Sequence, residues 1–282
     1  MCTLIETGSF NEFYDYNKKL IYGNRLSFYH LIKMIQQVNE TKIGPYTAYN
    51  IINDEGANVL AVWTDGIYYL YGTTWTEEIL DKLTEKIDLP KFRNFTFSGT
   101  RELVLDFFAK TDRPYTIYKD RLLYECTQLL PIKGVIPGVA IKSSTDDLEE
   151  LAEMVYHFGL EEWGEREGRD MNHARQLVWG GILSGNICDW EVAEEITTIG
   201  QIIDMETRLP IIGSLYTKPD KRKKGYAYAF VHEIVSQLLK GGYKKCGIIS
   251  DATNDTTNKI FKEIGFVEVA KYISVNITPI HQ

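Results

Sequence analysis

The stretch Leu215-Tyr216-Thr217-Lys218-Pro219-Asp220-Lys221-Arg222-Lys223-Lys224-Gly225-Tyr226-Ala227 is the part of this chain best suited to chemistry. A strand-like run ends at Thr217, Pro219 opens a turn, and Gly225 stands where an amphipathic helical pattern begins. Small residues at Gly225 and Ala227 let backbone approach an anion closely. The first turn of the helix then offers N–H groups without intrahelical acceptors and the positive end of its dipole. Arg222 adds charge beside the loop. Such a site suits a diphosphate. It is neither a Walker loop nor a GxGxxG turn, and a basic cluster in isolation is more often a solvated turn. Its place between a strand and an amphipathic helix sets it apart.

The elements that position this loop can be read in order. Val139–Lys142 reads as a strand, and Ser144 or Thr145 can cap a helix running through Phe158. A second helix spans about Asp170 to Leu183. Strands follow near Ile187–Ala193, Thr197–Glu206 and Ile211–Thr217, the last two joined at Arg208-Leu209-Pro210. A helix from Gly225 to Lys240 carries Ala227, Phe230, Val231, Ile234, Val235 and Leu238 as an apolar stripe and stops at Gly241-Gly242. Strand Cys246–Ile249 leads to a helix from Asp255 to Ile264, with Asn254 as its cap and Gly265 as its end, and a strand lies within Phe266–Ile277.

The first half repeats that order. Phe10 to Val38 is helical with a break near Gly23, and strands follow at Tyr46–Ile52, Val59–Thr64 and Ile67–Tyr71, with Asp65-Gly66 as a hairpin turn. Then come a helix from Thr76 to Ile87, a strand at Phe95–Phe97, a helix at Arg101–Lys110 and a strand at Tyr115–Cys126. We read an internal duplication, with coincidence as the alternative because such orders are common in α/β proteins: one domain over 1–128, a Pro- and Gly-rich linker over 129–138, and a second domain over 139–282. Between its third strand and the next helix the first half has only Gly72-Thr73-Thr74-Trp75-Thr76, so it lacks the anion loop.

Two motifs give this arrangement a resemblance. Arg222-Lys223-Lys224-Gly225-Tyr226-Ala227 is similar to the [RQ]-x-x-G-x-[GA] pyrophosphate loop of the GNAT superfamily of N-acetyltransferases. Asn254-Asp255-Thr256-Thr257-Asn258-Lys259-Ile260-Phe261-Lys262-Glu263-Ile264-Gly265-Phe266 resembles that family's second motif. The resemblance covers Val139 to the C-terminus. It implies an α/β (α+β) fold with a mixed, mainly antiparallel sheet flanked by helices, in two tandem GNAT-like domains of which the first is degenerate. It implies acetyl-CoA as co-substrate, held by Leu215, Tyr216, Thr217, Arg222, Lys223, Lys224, Gly225, Tyr226, Ala227, Asn254, Thr257, Asn258 and Phe261, with no metal.

In such chemistry a neutral amine attacks the thioester, a backbone N–H stabilises the oxyanion, a base removes the amine proton and an acid protonates the thiolate. The family often places a tyrosine as that acid where this chain has Phe261, so the acid here is another tyrosine (Tyr216, Tyr226 or Tyr272), a water, or nothing. Glu191, Glu194, Asp204 and Glu206 are candidate bases. We select Tyr216, Asp204 and Glu206 as catalytic candidates. The expected acceptor is a small primary amine; a non-catalytic acyl-CoA-binding or sensing module is the alternative.

The bulk properties limit the other classes. A net charge of −8 over 282 residues disfavours nucleic-acid binding and suits a cationic substrate. No apolar run reaches the length of a membrane span, and Met1–Thr7 has no signal-peptide pattern. Cys2, Cys126, Cys188 and Cys246 are scattered without CxxC pairs, which points to free thiols in a reducing cytoplasm; a monomer or homodimer is expected.

Overall fold

The computed structural model describes residues 2–7, 10–41, 47–64, 66–89, 95–165, 169–204 and 209–277, with backbone only at 39–41 and 204. The first half contributes β1 (Cys2–Thr7), α1 (Phe10–Gly23), α2 (Tyr29–Thr41), β2 (Thr47–Asn53), β3 (Asn58–Thr64), β4 (Ile67–Thr74), α3 (Glu77–Lys86), β5 (Thr96–Thr100), α4 (Arg101–Thr111) and β6 (Tyr115–Cys126). The second contributes β7 (Val139–Lys142), α5 (Leu148–Trp163), α6 (Met171–Ser184), β8 (Ile187–Val192), β9 (Glu195–Asp204), β10 (Pro210–Thr217), α7 (Tyr226–Lys240), β11 (Cys246–Asp251), α8 (Asp255–Ile264) and β12 (Val267–Ile277). Both halves follow the order β-α-α-β-β-β-α-β-α-β, as a duplicated fold requires.

By contacts the chain forms two compact units. One comprises Met1–Leu123, Asp251–Thr253 and Val269–Gln282; the other Tyr124–Ser250 and Asn254–Glu268. In the first unit the strand order is β1-β2-β3-β4-β5-β12, antiparallel except for the parallel β4–β5 pair. The chain's last strand thus lies beside β5, with Ile273 opposite Gly99 and Val275 opposite Phe97. Ile273, Val275 and Ile277 join Phe97, Phe107 and Phe108 in this unit's core. In the second unit the order is β11-β10-β9-β8-β7, antiparallel except for the parallel β10–β11 pair. Leu151 and Ala152 of α5 and Ala174 and Val178 of α6 pack on Ile187, Ile199 and Tyr216 on one face of that sheet. On the other, Phe230 of α7 meets Trp190 at a centroid separation of 6.4 Å.

Three local readings change. β1 was not foreseen from its sequence, although all six of its residues pair with β2. α5 continues past Phe158 to Trp163, where Gly164 ends it and donates its N–H to Leu160 O at 2.8 Å. Ser144 caps a short 3-10 turn over Thr145–Asp147 through a reciprocal capping box, and the α-helix begins only at Leu148. The Asp65-Gly66 turn is consistent with the Thr64↔Ile67 pairing, though Asp65 itself lies outside the described residues.

Candidate functional site

β10 is irregular where the sequence places the thioester. Its register against β9 jumps between Gly213↔Gln201 and Tyr216↔Ile199, leaving Ser214 and Leu215 outside that ladder. Ser214 takes φ 49°, a left-handed value uncommon for serine. Such a bulge bends the strand and re-aims its backbone. On the other side, β10 pairs with β11 at Ile211↔Gly247 and Ile212↔Ile248 and, among the described residues, no further along. The strands therefore part beyond Ile212, and Ser214 and Leu215 have no ladder partner on either side among the described residues. Gly213, Ser214 and Leu215 are all partly exposed.

The loop closes the far end of β10. Lys218 N–H donates to Thr197 O at 3.0 Å, and a 3-10 turn over Pro219–Lys221 carries the chain round. Lys223 and Gly225 take φ 62° and 85°. Gly225 is the N-cap of α7, and the first helical bond is Ala229 N–H to Gly225 O at 3.0 Å. The N–H groups of Tyr226, Ala227 and Tyr228 thus have no intrahelical acceptor. No acidic residue stands in that first turn. Among the basic residues, Lys218 pairs with Glu150 and Lys221 with Glu195, each at 2.5 Å. Arg222 donates to Thr217 O at 2.9 Å, pairs with Glu161 at 2.7 Å, and lies 5.2 Å from the Tyr216 ring centroid. Lys223 and Lys224 are exposed and make no ion pair among the described residues. Loop backbone, helix terminus and these two ammonium groups form a donor set that fits a diphosphate.

The second motif is placed by α8. Asn254 Oδ1 accepts from Thr257 N–H at 3.1 Å as the N-cap, Thr257 is partly exposed and Asn258 is buried. Phe261 packs against Tyr124 at 6.1 Å and Phe266 at 5.8 Å between centroids. Its phenyl ring carries no proton to donate. Tyr216 is buried between β10 and the α5–α6 layer; burial raises its phenol pKa, with Glu161 adding to the rise and Arg222 opposing it. Tyr226 opens α7 and is partly exposed, whereas Tyr272 belongs to the first unit and accepts a hydrogen bond from Ser274 Oγ. Asp204 ends β9 opposite Pro210, and Glu206 lies outside the described residues. Glu191 is on β8, and Glu194 occupies the following turn with φ 66°.

Sequence reasoning missed three participants. Glu161 orients Arg222 from α5. Ile136 approaches Gly225 so closely that a Cβ there would lie 3.0 Å from its Cδ1. Ser250, beyond the last β10–β11 pair, buries its hydroxyl with no hydrogen-bond partner among the described residues. Glu161 and Ile136 carry no local signal, because each meets the loop across tens of residues. In the first half the corresponding strands keep four pairs against two, from Ile67↔Thr96 to Leu70↔Gly99, and the Thr100 hydroxyl then bonds both backbone groups of Gly72.

This is the fold of the GNAT acetyltransferases. A GNAT-family acetyltransferase from Colwellia psychrerythraea superposes with a TM-score of 0.59 and 13% identity, over 98% of this chain and 100% of that one. A GCN5-related N-acetyltransferase from Sphaerobacter thermophilus gives 0.63 and 12%, over 98% and 96%. A Drosophila protein gives 0.55 and 13%, over 95% of each. In sequence, residues 181–275 match the model of the FR47-like protein family. No curated protein matches the chain.

Proposed function

We propose that the second half is an acetyl-CoA-dependent N-acetyltransferase acting on the primary amine of a small acceptor. The observation that carries this reading is the parting of β10 from β11 beyond Ile212, with the Arg222–Ala227 loop and the α7 N-terminus at the open end. Acetyl-CoA would supply the activated thioester. The chain would supply N–H donors on α7 with Lys223 and Lys224 for the diphosphate, and the Ser214 and Leu215 N–H groups for the oxyanion. Asp204 and Glu206 are the proposed bases and Tyr216 the proposed acid, a phenol that burial keeps protonated. Calorimetry with acetyl-CoA, followed by thiol release against a panel of amines, tests the proposal. No binding at high micromolar ligand sinks it.

Phe261 favours a second reading, a module that binds or senses acyl-CoA without turnover. Its ring is buried among aromatics where a proton donor would otherwise stand. Tight binding with no thiol release from any amine would select this reading, and turnover with one amine would remove it.

A further inference from the structure

β11 keeps one of its faces inside the second unit. Cys246, Ile248 and Ser250 alternate along that face and are 0%, 2% and 5% exposed, whereas Ile249 on the other face is partly exposed. Cysteine and isoleucine suit such a surroundings-filled face, and serine does not. The Ser250 Oγ is buried and has no hydrogen-bond partner among the described residues. A buried hydroxyl in that state costs stability that an alanine in its place would not. A group of this kind is accounted for when a ligand atom completes its hydrogen bonding.

Its level along the sheet decides which ligand atoms it can meet. The parallel pairs Ile211↔Gly247 and Ile212↔Ile248 are the last between β10 and β11 among the described residues. Carried two residues further, the same register sets Ser250 across from Ser214, the left-handed residue of the β10 bulge. The two serines thus stand at one level on two strands that have parted. On β10 that level offers backbone N–H groups without ladder partners, and on β11 it offers a buried hydroxyl.

The acetyl-CoA reading above, on which this inference rests, gives the thioester oxygen to the Ser214 and Leu215 N–H groups. The opposite border of the opening is then left for the other polar atom of the thioester. We propose that the Ser250 hydroxyl hydrogen-bonds the CoA sulfur and stabilises the thiolate as it leaves. When the tetrahedral intermediate collapses, the C–S bond breaks, its electron pair goes to sulfur, and the new C–N bond stays. Ser250 Oγ–H then donates a charge-assisted hydrogen bond to that sulfur. An alkyl hydroxyl is far less acidic than a thiol, so the serine keeps its proton. The proton that turns the thiolate into free thiol comes from Tyr216, and the proton lost by the amine goes to the base.

Carbon-13 NMR of CoA labelled at the carbon bonded to sulfur reads the ionisation of the bound thiol and needs no acceptor amine. The thiol bound to the wild type should titrate about one pH unit below the thiol bound to Ser250→Ala, because a hydrogen bond to a charged atom is stronger than one to a neutral thiol. Calorimetry at about pH 7, where the thiol is protonated, should give CoA affinities within about threefold of each other. Without ligand, Ser250→Ala should unfold in urea at or above the wild-type midpoint, since it loses a buried hydroxyl with no partner. Equal thiol titrations, a ligand-free variant less stable than the wild type, or a variant that no longer binds CoA at neutral pH would each overturn the role of Ser250 and leave the acetyl-CoA reading in place. A wild type that binds no CoA overturns both.

Discussion

Asp189 on β8 is fully buried, and Asp189→Asn measures what that burial costs. Ser143 Oγ donates to Oδ2 at 2.6 Å, while Oδ1 has no hydrogen-bond partner among the described residues. Burial pushes the carboxyl up from 3.8 to about 6; Glu191, Asp147 and Glu150 push the same way, and only the Ser143 hydrogen bond opposes them. A folded-state pKa above the unfolded one stabilises the fold at low pH, and that stabilisation is lost as pH rises through about 6. The gap from 3.8 to about 6 corresponds to about 3 kcal/mol, of which about 2 kcal/mol returns on going from pH 7.5 to 4.5. Asparagine cannot ionise, so the variant lacks this pH-dependent part. Its new N–H groups cost an amount that does not change with pH. The stability difference between variant and wild type should therefore move by about 2 kcal/mol in the variant's favour between pH 4.5 and 7.5. Urea unfolding at both values, read by hydrogen exchange of the β8 amides, follows the second unit alone. The same difference at both pH values would refute the reasoning.

Other perturbations test the loop and the course of the chain. Gly225→Ala places a Cβ at φ 85° and 3.0 Å from Ile136 Cδ1, so a loss of about 1–2 kcal/mol and weaker acetyl-CoA binding are expected. Wild-type values in urea unfolding and calorimetry would mean that the loop is misplaced. Arg222→Ala removes the Thr217 hydrogen bond, the Glu161 pair and the Tyr216 ring contact, all of them partly solvated. It should change stability by less than about 1 kcal/mol while weakening acetyl-CoA roughly tenfold, since the loop loses its anchor. Ile273→Ala opens a cavity in the first unit although residue 273 is near the chain's end. A loss of about 2–5 kcal/mol, read by hydrogen exchange at β5, is the expected result.

Elements held by local rules were legible: α7 from its apolar stripe and Gly241 stop, α8 from Asn254 and Gly265, the β3–β4 hairpin from its turn. The repeat of element order was legible for the same reason. β1 was not, because a short, half-polar terminal strand becomes a strand through its partner, here β2. The site divides in the same way. The loop advertises itself by composition, whereas at the bulge the left-handed residue is Ser214 and not its neighbour Gly213, the residue type that would announce it. Arg222 reads as a phosphate ligand, but its partner Glu161, sixty-one positions earlier, carries no local signal. The strand exchange that carries β12 to β5 follows from sheet pairing and not from local pattern.

Duplicated order raises the question of how many acetyl-CoA molecules one chain takes, and the two parallel strand pairs differ in the relevant respect. β10 and β11 part after two pairs, whereas β4 and β5 stay together through Leu70↔Gly99. A Cβ at Gly99 would overlap the Leu70 carbonyl oxygen, so the glycine permits this close approach. Just beyond, the Thr100 hydroxyl donates to Gly72 O at 3.2 Å and accepts from Gly72 N–H at 3.3 Å, bridging the position where an opening would begin. The helix that follows β4 carries Glu77 and Glu78 in its first turn, where α7 carries no acid. Two carboxylates at a helix N-terminus satisfy its dipole and repel a diphosphate. Calorimetric titration should therefore saturate at one acetyl-CoA per chain, and Gly225→Ala should weaken that single site. A stoichiometry of two, or a second site that Gly225→Ala leaves untouched, would show that the closed β4–β5 pair opens to ligand after all.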